Sequence, residues 1–313
     1  MKKYISPFLL FFAALIWGFA FVAQKAASEI PPFALGATRT SIAVPVITIA
    51  VIFFDKMSGS GRKLFSVNEG KFRIGITKVE LFGGIICGCL LFIATSLQQI
   101  GLHSGTDAGK AAFITALYVV IVPILGLLLR RPSPINAWIS VAIAVVGFYL
   151  LCVKNDFSVA ASDITIFLCT FAFAAQIIAV DLLLPRADGC RLSLIQFATV
   201  AILSGSAALI FEGASAFSAV GICLPQILYL GILSSGVAYT LQILGQKRTH
   251  PAVASVILSL ESVFGALAGA LVLKETMAPR EYLGCIIVFA AVILSQLDIR
   301  SLISAKRAKS GEK

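Results

Sequence analysis

The sequence predicts an all-α membrane protein of ten transmembrane helices, arranged as two inverted five-helix repeats. Three observations lead there: the composition, ten apolar runs of spanning length, and basic residues gathered in alternate breaks between those runs. Of the 313 residues, 59% are hydrophobic and 13% charged, where a soluble domain carries about 25% charged residues. A spanning helix needs roughly 20 mainly apolar residues to cross about 30 Å of hydrocarbon. The chain therefore holds about ten such helices and no sizeable soluble domain.

In chain order the first run, residues 6–25, follows Lys2 and Lys3, and the second covers 33–54. A polar linker, 55–78, carries Lys56, Arg62, Lys63, Lys71, Arg73 and Lys78 and leads to the third run, 79–98. The fourth, 108–129, stops at Arg130 and Arg131, and the fifth spans 135–152. The sixth, 162–183, and seventh, 191–211, are separated by a break holding Arg186 and closing on Arg191. The eighth, 225–244, is followed by Lys247 and Arg248, the ninth is 251–272, and the tenth, 279–297, precedes a tail with Lys306, Arg307 and Lys309.

All these basic residues fall on one side if every run is a crossing. The other side receives only Lys25, Lys110, Lys154, Lys274 and Arg280. By the positive-inside rule both termini are cytoplasmic, in a cytoplasmic (inner) membrane. The opening Met1-Lys2-Lys3 before an apolar stretch also resembles a cleaved signal peptide, but losing that helix would break the repeat described next and place the tail outside.

The net charge of +10 reads as a topology signal, because the basic residues lie between apolar runs and not on a nucleic-acid-binding stripe. The cysteines (Cys87, Cys89, Cys152, Cys169, Cys190, Cys223 and Cys285) have neither disulfide-scaffold nor zinc-site spacing and read as packing residues. His103 and His250 are the only histidines, too few for a His-rich metal site. No metal or cofactor is expected.

Phe19-Ala20-Phe21-Val22-Ala23-Gln24 in the first run recurs as Phe171-Ala172-Phe173-Ala174-Ala175-Gln176 in the sixth. Later pairs follow at a shorter offset, Gln98 with Gln242, Gly101 with Gly245, Ala108 with Ala252 and Trp138 with Tyr282, the long linker of the first half absorbing the difference. The halves are taken as 1–154 and 155–300, with a basic cytoplasmic tail, 301–313. A unit of five crossings is odd, so its two copies lie in opposite orientations. Such inverted repeats are typical of secondary transporters, whose halves exchange which side is closed around a site near the midplane. Gly84 with Gly88 and Gly265 with Gly269 have the four-residue spacing that lets helix backbones approach.

Ile16-Trp17-Gly18, Arg39, Ser235-Gly236-Val237-Ala238-Tyr239, Ser259-Leu260-Glu261, and Lys274-Glu275 followed by Gly284 stand in an order that resembles the drug/metabolite transporter superfamily, in particular its EamA-type ten-helix members. The resemblance covers nearly the whole chain. It departs at Ser262, where the family often has proline, which weakens a proline kink in the ninth helix. It departs also at Arg130-Arg131, which take the first-half place of the acidic residue at Glu275. The resemblance implies transport of amino acids, amines or similar metabolites.

Nine residues are candidate substrate contacts. Glu261 lies about ten residues into its span, near the midplane, where an uncompensated charge costs roughly 2.5–3.5 kcal/mol. It is either a binder of a cationic substrate or proton, or a structural carboxylate paired with Arg39. Arg39 sits a turn or two inside its helix, placed to snorkel to the interface or to hold a substrate carboxylate. Gln24 and Gln98 toward one face, and their repeat partners Gln176 and Gln242 toward the other, are expected to line two equivalent vestibules or to glue helices together. Trp17, Tyr118 and Tyr239 offer aromatic faces to a cationic or aromatic solute.

The function these features imply is a secondary transporter of small metabolites working by alternating access, coupled to a proton or to exchange. Its partners are a small-molecule substrate and membrane lipid, with no nucleic acid. A membrane-embedded enzyme and a non-transporting helper subunit are the competing readings. The first lacks HExxH, paired intramembrane aspartates and a phosphate-cradling loop, so no catalytic residue is assigned.

Overall fold

The computed structural model of the chain describes residues 2–58, 63–68, 71–152, 160–272 and 277–297. Arg62, Lys154, the Lys274-Glu275 motif and the basic tail 301–313 lie outside them. Among the described residues ten apolar helices make the body, nine of them long and apolar enough to cross a membrane and α5 shorter: α1 (Lys2–Ala26), α2 (Pro32–Ser58), α3 (Lys78–His103), α4 (Ala108–Leu128), α5 (Ile135–Cys152), α6 (Ala161–Leu183), α7 (Gly189–Glu212), α8 (Leu224–Gln246), α9 (Pro251–Val272) and α10 (Pro279–Gln296). The ten expected runs match these within a few residues. The 55–78 linker is more than a polar loop: it contains an antiparallel hairpin, β1 (Phe65–Asn68) with β2 (Lys71–Ile74). Buried Arg191 at the start of α7 holds this linker, pairing with Asp55 at 2.7 Å and donating to the Gly75 carbonyl.

Helix ends are closed by side chains from elsewhere in the bundle. Glu212, at the end of α7, accepts from Phe33 N and Ala34 N at 2.9 and 2.8 Å, meeting two orphan donors at the positive end of α2. Lys25 donates to the Leu102 and Thr106 carbonyls at the end of α3.

The packing obeys an approximate two-fold relation between halves. Helix α3 packs on α6 as α8 packs on α1, and α1 packs on α9 as α6 packs on α4. Helices α5 and α10, equivalent to one another, cross at Gly147 and Gly284, so closely that a methyl on Gly284 would lie 2.6 Å from the Gly147 carbonyl oxygen. Large apolar side chains such as Phe8, Ile49, Ile86 and Ile202 point outward, as a lipid-facing surface requires.

The same relation corrects the repeat register. Gly101 abuts Ile166 and the Ser162 carbonyl, whereas Gly245 abuts Leu10 and the Ser6 carbonyl. Ser6 thus matches Ser162, and Trp17 matches Phe173, one turn away from the hexapeptide alignment. Gln24 is therefore not the counterpart of Gln176; Ala20 is.

Candidate functional site

Two helices break at mid-span. In α4 the break falls at Leu117 (φ −62°, ψ −12°) and in α9 at Ser259 (φ −63°, ψ −10°). At each, bonds tighten from i→i−4 to i→i−3, as in Leu117 N to Ile114 O and Ser262 N to Ser259 O, both 3.2 Å. In α9 a row of serines does what a proline would do elsewhere. Ser255, Ser259 and Ser262 each donate back to the carbonyl three residues earlier, at 2.9, 2.7 and 2.8 Å, a competition with the ladder that bends helices. The missing proline at Ser262 therefore does not leave α9 straight. Tyr118 and Glu261 follow directly on the two breaks.

Helix α8 is distorted as well, its middle turns, Tyr229–Ala238, widened to the i→i+5 pattern. Gly231 and Gly236 let it press on Ile42 and Val46 of α2. The Ser234 carbonyl accepts from Trp17 Nε1 at 3.1 Å, and Tyr239 packs on the Trp17 ring with centroids 4.6 Å apart.

These distortions converge on a cavity of about 40 Å³ in the middle of the bundle, lined by Trp17, Gln24, Arg39, Gln98, Tyr118, Gln176, Tyr239, Gln242 and Glu261. All nine sequence-selected residues reach it. The four glutamines share this one cavity and do not line two vestibules. Arg39 does not snorkel: it is 5% exposed, and its Nη1 donates to Gln24 Oε1 at 3.0 Å. Nor is Glu261 its ion-pair partner among the described residues.

The polar lining is partly satisfied. Gln98 Nε2 donates to Thr115 Oγ1, Gln242 Nε2 to Gln176 Oε1 and Gln176 Nε2 to Gln196 Oε1. The Tyr118 hydroxyl lies beside the Glu261 carboxylate, within electrostatic reach of it but short of hydrogen-bonding geometry, and Tyr118 Oη, Glu261 Oε1, Arg39 Nε and Gln242 Oε1 are all buried without a partner of good geometry. A buried polar atom left unpaired costs about 1–3 kcal/mol. Four of the fourteen such atoms among the described residues surround this one cavity.

Sequence reasoning passed over Thr115, Phe173, Ile177 and Gln196. Gln196 carried the same signal as the other glutamines, an amide inside an apolar run. Phe173 shows itself as the partner of Trp17 once the register is moved by a turn.

The model of the EamA-like transporter family matches this chain twice, at residues 5–153 and 160–297. A protein of Archaeoglobus fulgidus described as an uncharacterized transporter is 30% identical over 302 residues, 96% of this chain and 88% of that protein. A solved structure, titled only as the crystal structure of a protein, shares the fold with a TM-score of 0.72 and 17% identity, covering 95% of this chain and 98% of the other. With ten apolar helices and two copies of the family's unit, the chain belongs to the EamA-like transporter family of the drug/metabolite transporter superfamily and is a multi-pass membrane transporter.

Proposed function

We propose that the protein is a secondary transporter of zwitterionic or amine-bearing metabolites, such as amino acids, working by alternating access around the central cavity. The observation that carries this reading is that one cavity holds two buried ionisable side chains of opposite type, Arg39, whose Nε lacks a partner, and Glu261, whose Oε1 lacks one. A solute carboxylate satisfies the first, and an ammonium satisfies the second together with Tyr118 Oη and Gln242 Oε1. Trp17 and Tyr239 supply the apolar wall.

Metabolite sites are commonly about 300–1,000 Å³, so a cavity of about 40 Å³ requires the helices to part before a solute enters. The breaks in α4 and α9 supply places to bend, as discontinuous helices do at transporter midplanes. Coupling to a proton through Glu261, or to exchange, fits a carboxylate placed beside a hydroxyl. The gathering of basic residues in alternate loops supports cytoplasmic termini and an inner-membrane location.

A thermal-shift screen of the purified protein against amino acids and amines, with Glu261→Gln and Arg39→Gln in parallel, tests the site. A ligand at 100 times its Kd stabilises by about 2.7 kcal/mol. A zwitterion that shifts the wild type should shift each variant less, and an amine lacking a carboxylate should be insensitive to Arg39→Gln. Equal shifts in all three proteins would return both charges to a structural role.

A further inference from the structure

The central cavity is walled differently at its two ends. Toward the end bearing Lys247 and Arg248, α8 places Gln242 in the cavity and Gln246, one turn on, in a depression of about 420 Å³. On helix α6 the adjacent Ile177 and Ile178 face the cavity and the depression respectively. Along α8 the two spaces lie about one helical turn apart, roughly 5.4 Å of rise. The bond across this layer is long, Gln246 Nε2 donating to the Ile177 carbonyl at 3.4 Å, beyond the usual 2.7–3.2 Å range. Gln246 is 2% exposed, and its Oε1 has no partner.

At the opposite end the repeat equivalents are Leu102 for Gln246 and Phe21 for Ile177. Those two are buried in a continuous apolar cluster with Ala111, Ala112 and Ile166. Equivalent positions thus carry only apolar side chains at one end, while at the other an amide with a long bond stands among the apolar side chains of Ile177, Ile178, Val122 and Ala252.

We infer that Gln246 is the gate through which the central cavity opens toward the basic end. Its amide leaves the Ile177 carbonyl, and the solute passes between α6 and α8 into the depression. Gln242 Oε1 and Gln246 Oε1, both unpartnered acceptors one turn apart, offer an ammonium group successive partners. The Asp181 carboxylate follows on the wall of the same depression, paired with Arg131 at 2.8 Å. The depression is within the size range of metabolite sites, so it serves as the waiting place that the smaller cavity leads to. This gate rests on the transport reading, and its test is independent of any solute.

The test uses the full chain with Gln242→Cys as reporter in sealed vesicles, and a membrane-impermeant charged methanethiosulfonate added from either side. The protein with Gln242 intact serves as blank for the native cysteines. The reporter should be modified from the basic end. Adding Gln246→Leu, which recreates the Leu102 seal, should slow modification about tenfold, because opening must then expose a buried apolar side chain, and Gln246→Ala, which removes both bond and bulk, should speed it. Equal rates in all three, or faster modification from the opposite end, would overturn the gate. A melting curve checks that Gln246→Leu folds; if it does not, the Gln246→Ala arm decides. Because labelling needs no solute and transport is measured on the protein with Gln242 intact, failed transport with the expected labelling overturns only the transport reading, and flat labelling with intact transport overturns only the gate.

Discussion

Gly18 sits where α1 meets α9, beside Trp17 and opposite the turn that carries Glu261. A methyl group there would meet Phe264 Cβ first, and would lie 2.7 Å from the Phe264 carbonyl carbon and 2.8 Å from Gly265 N. Cβ is fixed by the backbone and the other two belong to it, so no side-chain rotation relieves the clash. Ordinary contact begins at 3.4 Å, so α9 must retreat by at least about 0.7 Å. Overpacking of this kind costs about 1–3 kcal/mol, and each kcal/mol lowers Tm by about 2–4 °C in a protein of roughly this size. Gly18→Ala should therefore melt several degrees lower and bind solute more weakly, since Glu261 lies one turn from the point of contact. The assay is a melting curve in detergent with and without ligand, with Gly205→Ala as comparison. Gly205 lies inside α7 with nothing within 4 Å of an added methyl, so that change should be neutral or slightly stabilising. If Gly18→Ala melts with Gly205→Ala, the close crossing does not set the position of Glu261.

Two further outcomes follow from charges outside the central cavity. Asp55→Ala takes the nearer carboxylate from Arg191, whose side chain is 4% exposed, and leaves it Asp188 at 3.6 Å and the Gly75 carbonyl; the loss should approach the lower end of the about 3–5 kcal/mol of a broken buried pair. Arg131→Ala removes a pair whose arginine is 51% exposed and should cost less than about 1 kcal/mol, so comparable melting losses would refute the burial argument. His250 Nδ1 accepts from Ala252 N at the start of α9, and burial holds its imidazole below the ordinary value of 6.5. Only the neutral ring accepts, so this contribution is complete above pH 6.5 and declines as pH falls toward the lowered folded value. His250→Asn keeps a capping acceptor without the titration; its Tm should fall less than the wild type's below pH 6.5, and parallel curves would show that the cap is not pH-sensitive.

The spans were legible because lipid is an uncompromising solvent: a run of apolar residues of the right length has few alternatives. Distortions inside the spans were not. Nothing at Leu117 differs in hydropathy from its neighbours, and the serines of α9 look like ordinary small polar residues until their hydroxyls are seen turning back on the helix. The hexapeptide match misled by one turn for a physical reason. Residues four apart share a helix face, so a shift of that size keeps the face and changes only the depth. Arg39 shows the converse. Its distance from the helix end was readable, but not the face it occupies, and the face decides between the interface and the cavity. The nine cavity residues were found together because polar and aromatic groups inside apolar runs have few places to go except inward.

The indole of Trp17 is held at both ends, its N–H on the Ser234 carbonyl and its ring against Tyr239. The protein has one other tryptophan, Trp138, on α5 and away from the cavity lining. The chain thus carries its own fluorophore at the point where the two halves meet. In a Trp138→Phe background a single emitter remains, and any movement that parts α1 from α8 exchanges its carbonyl partner for water. The emission then shifts to the red as the cavity opens and returns when it closes, so access can be timed by light with no label attached.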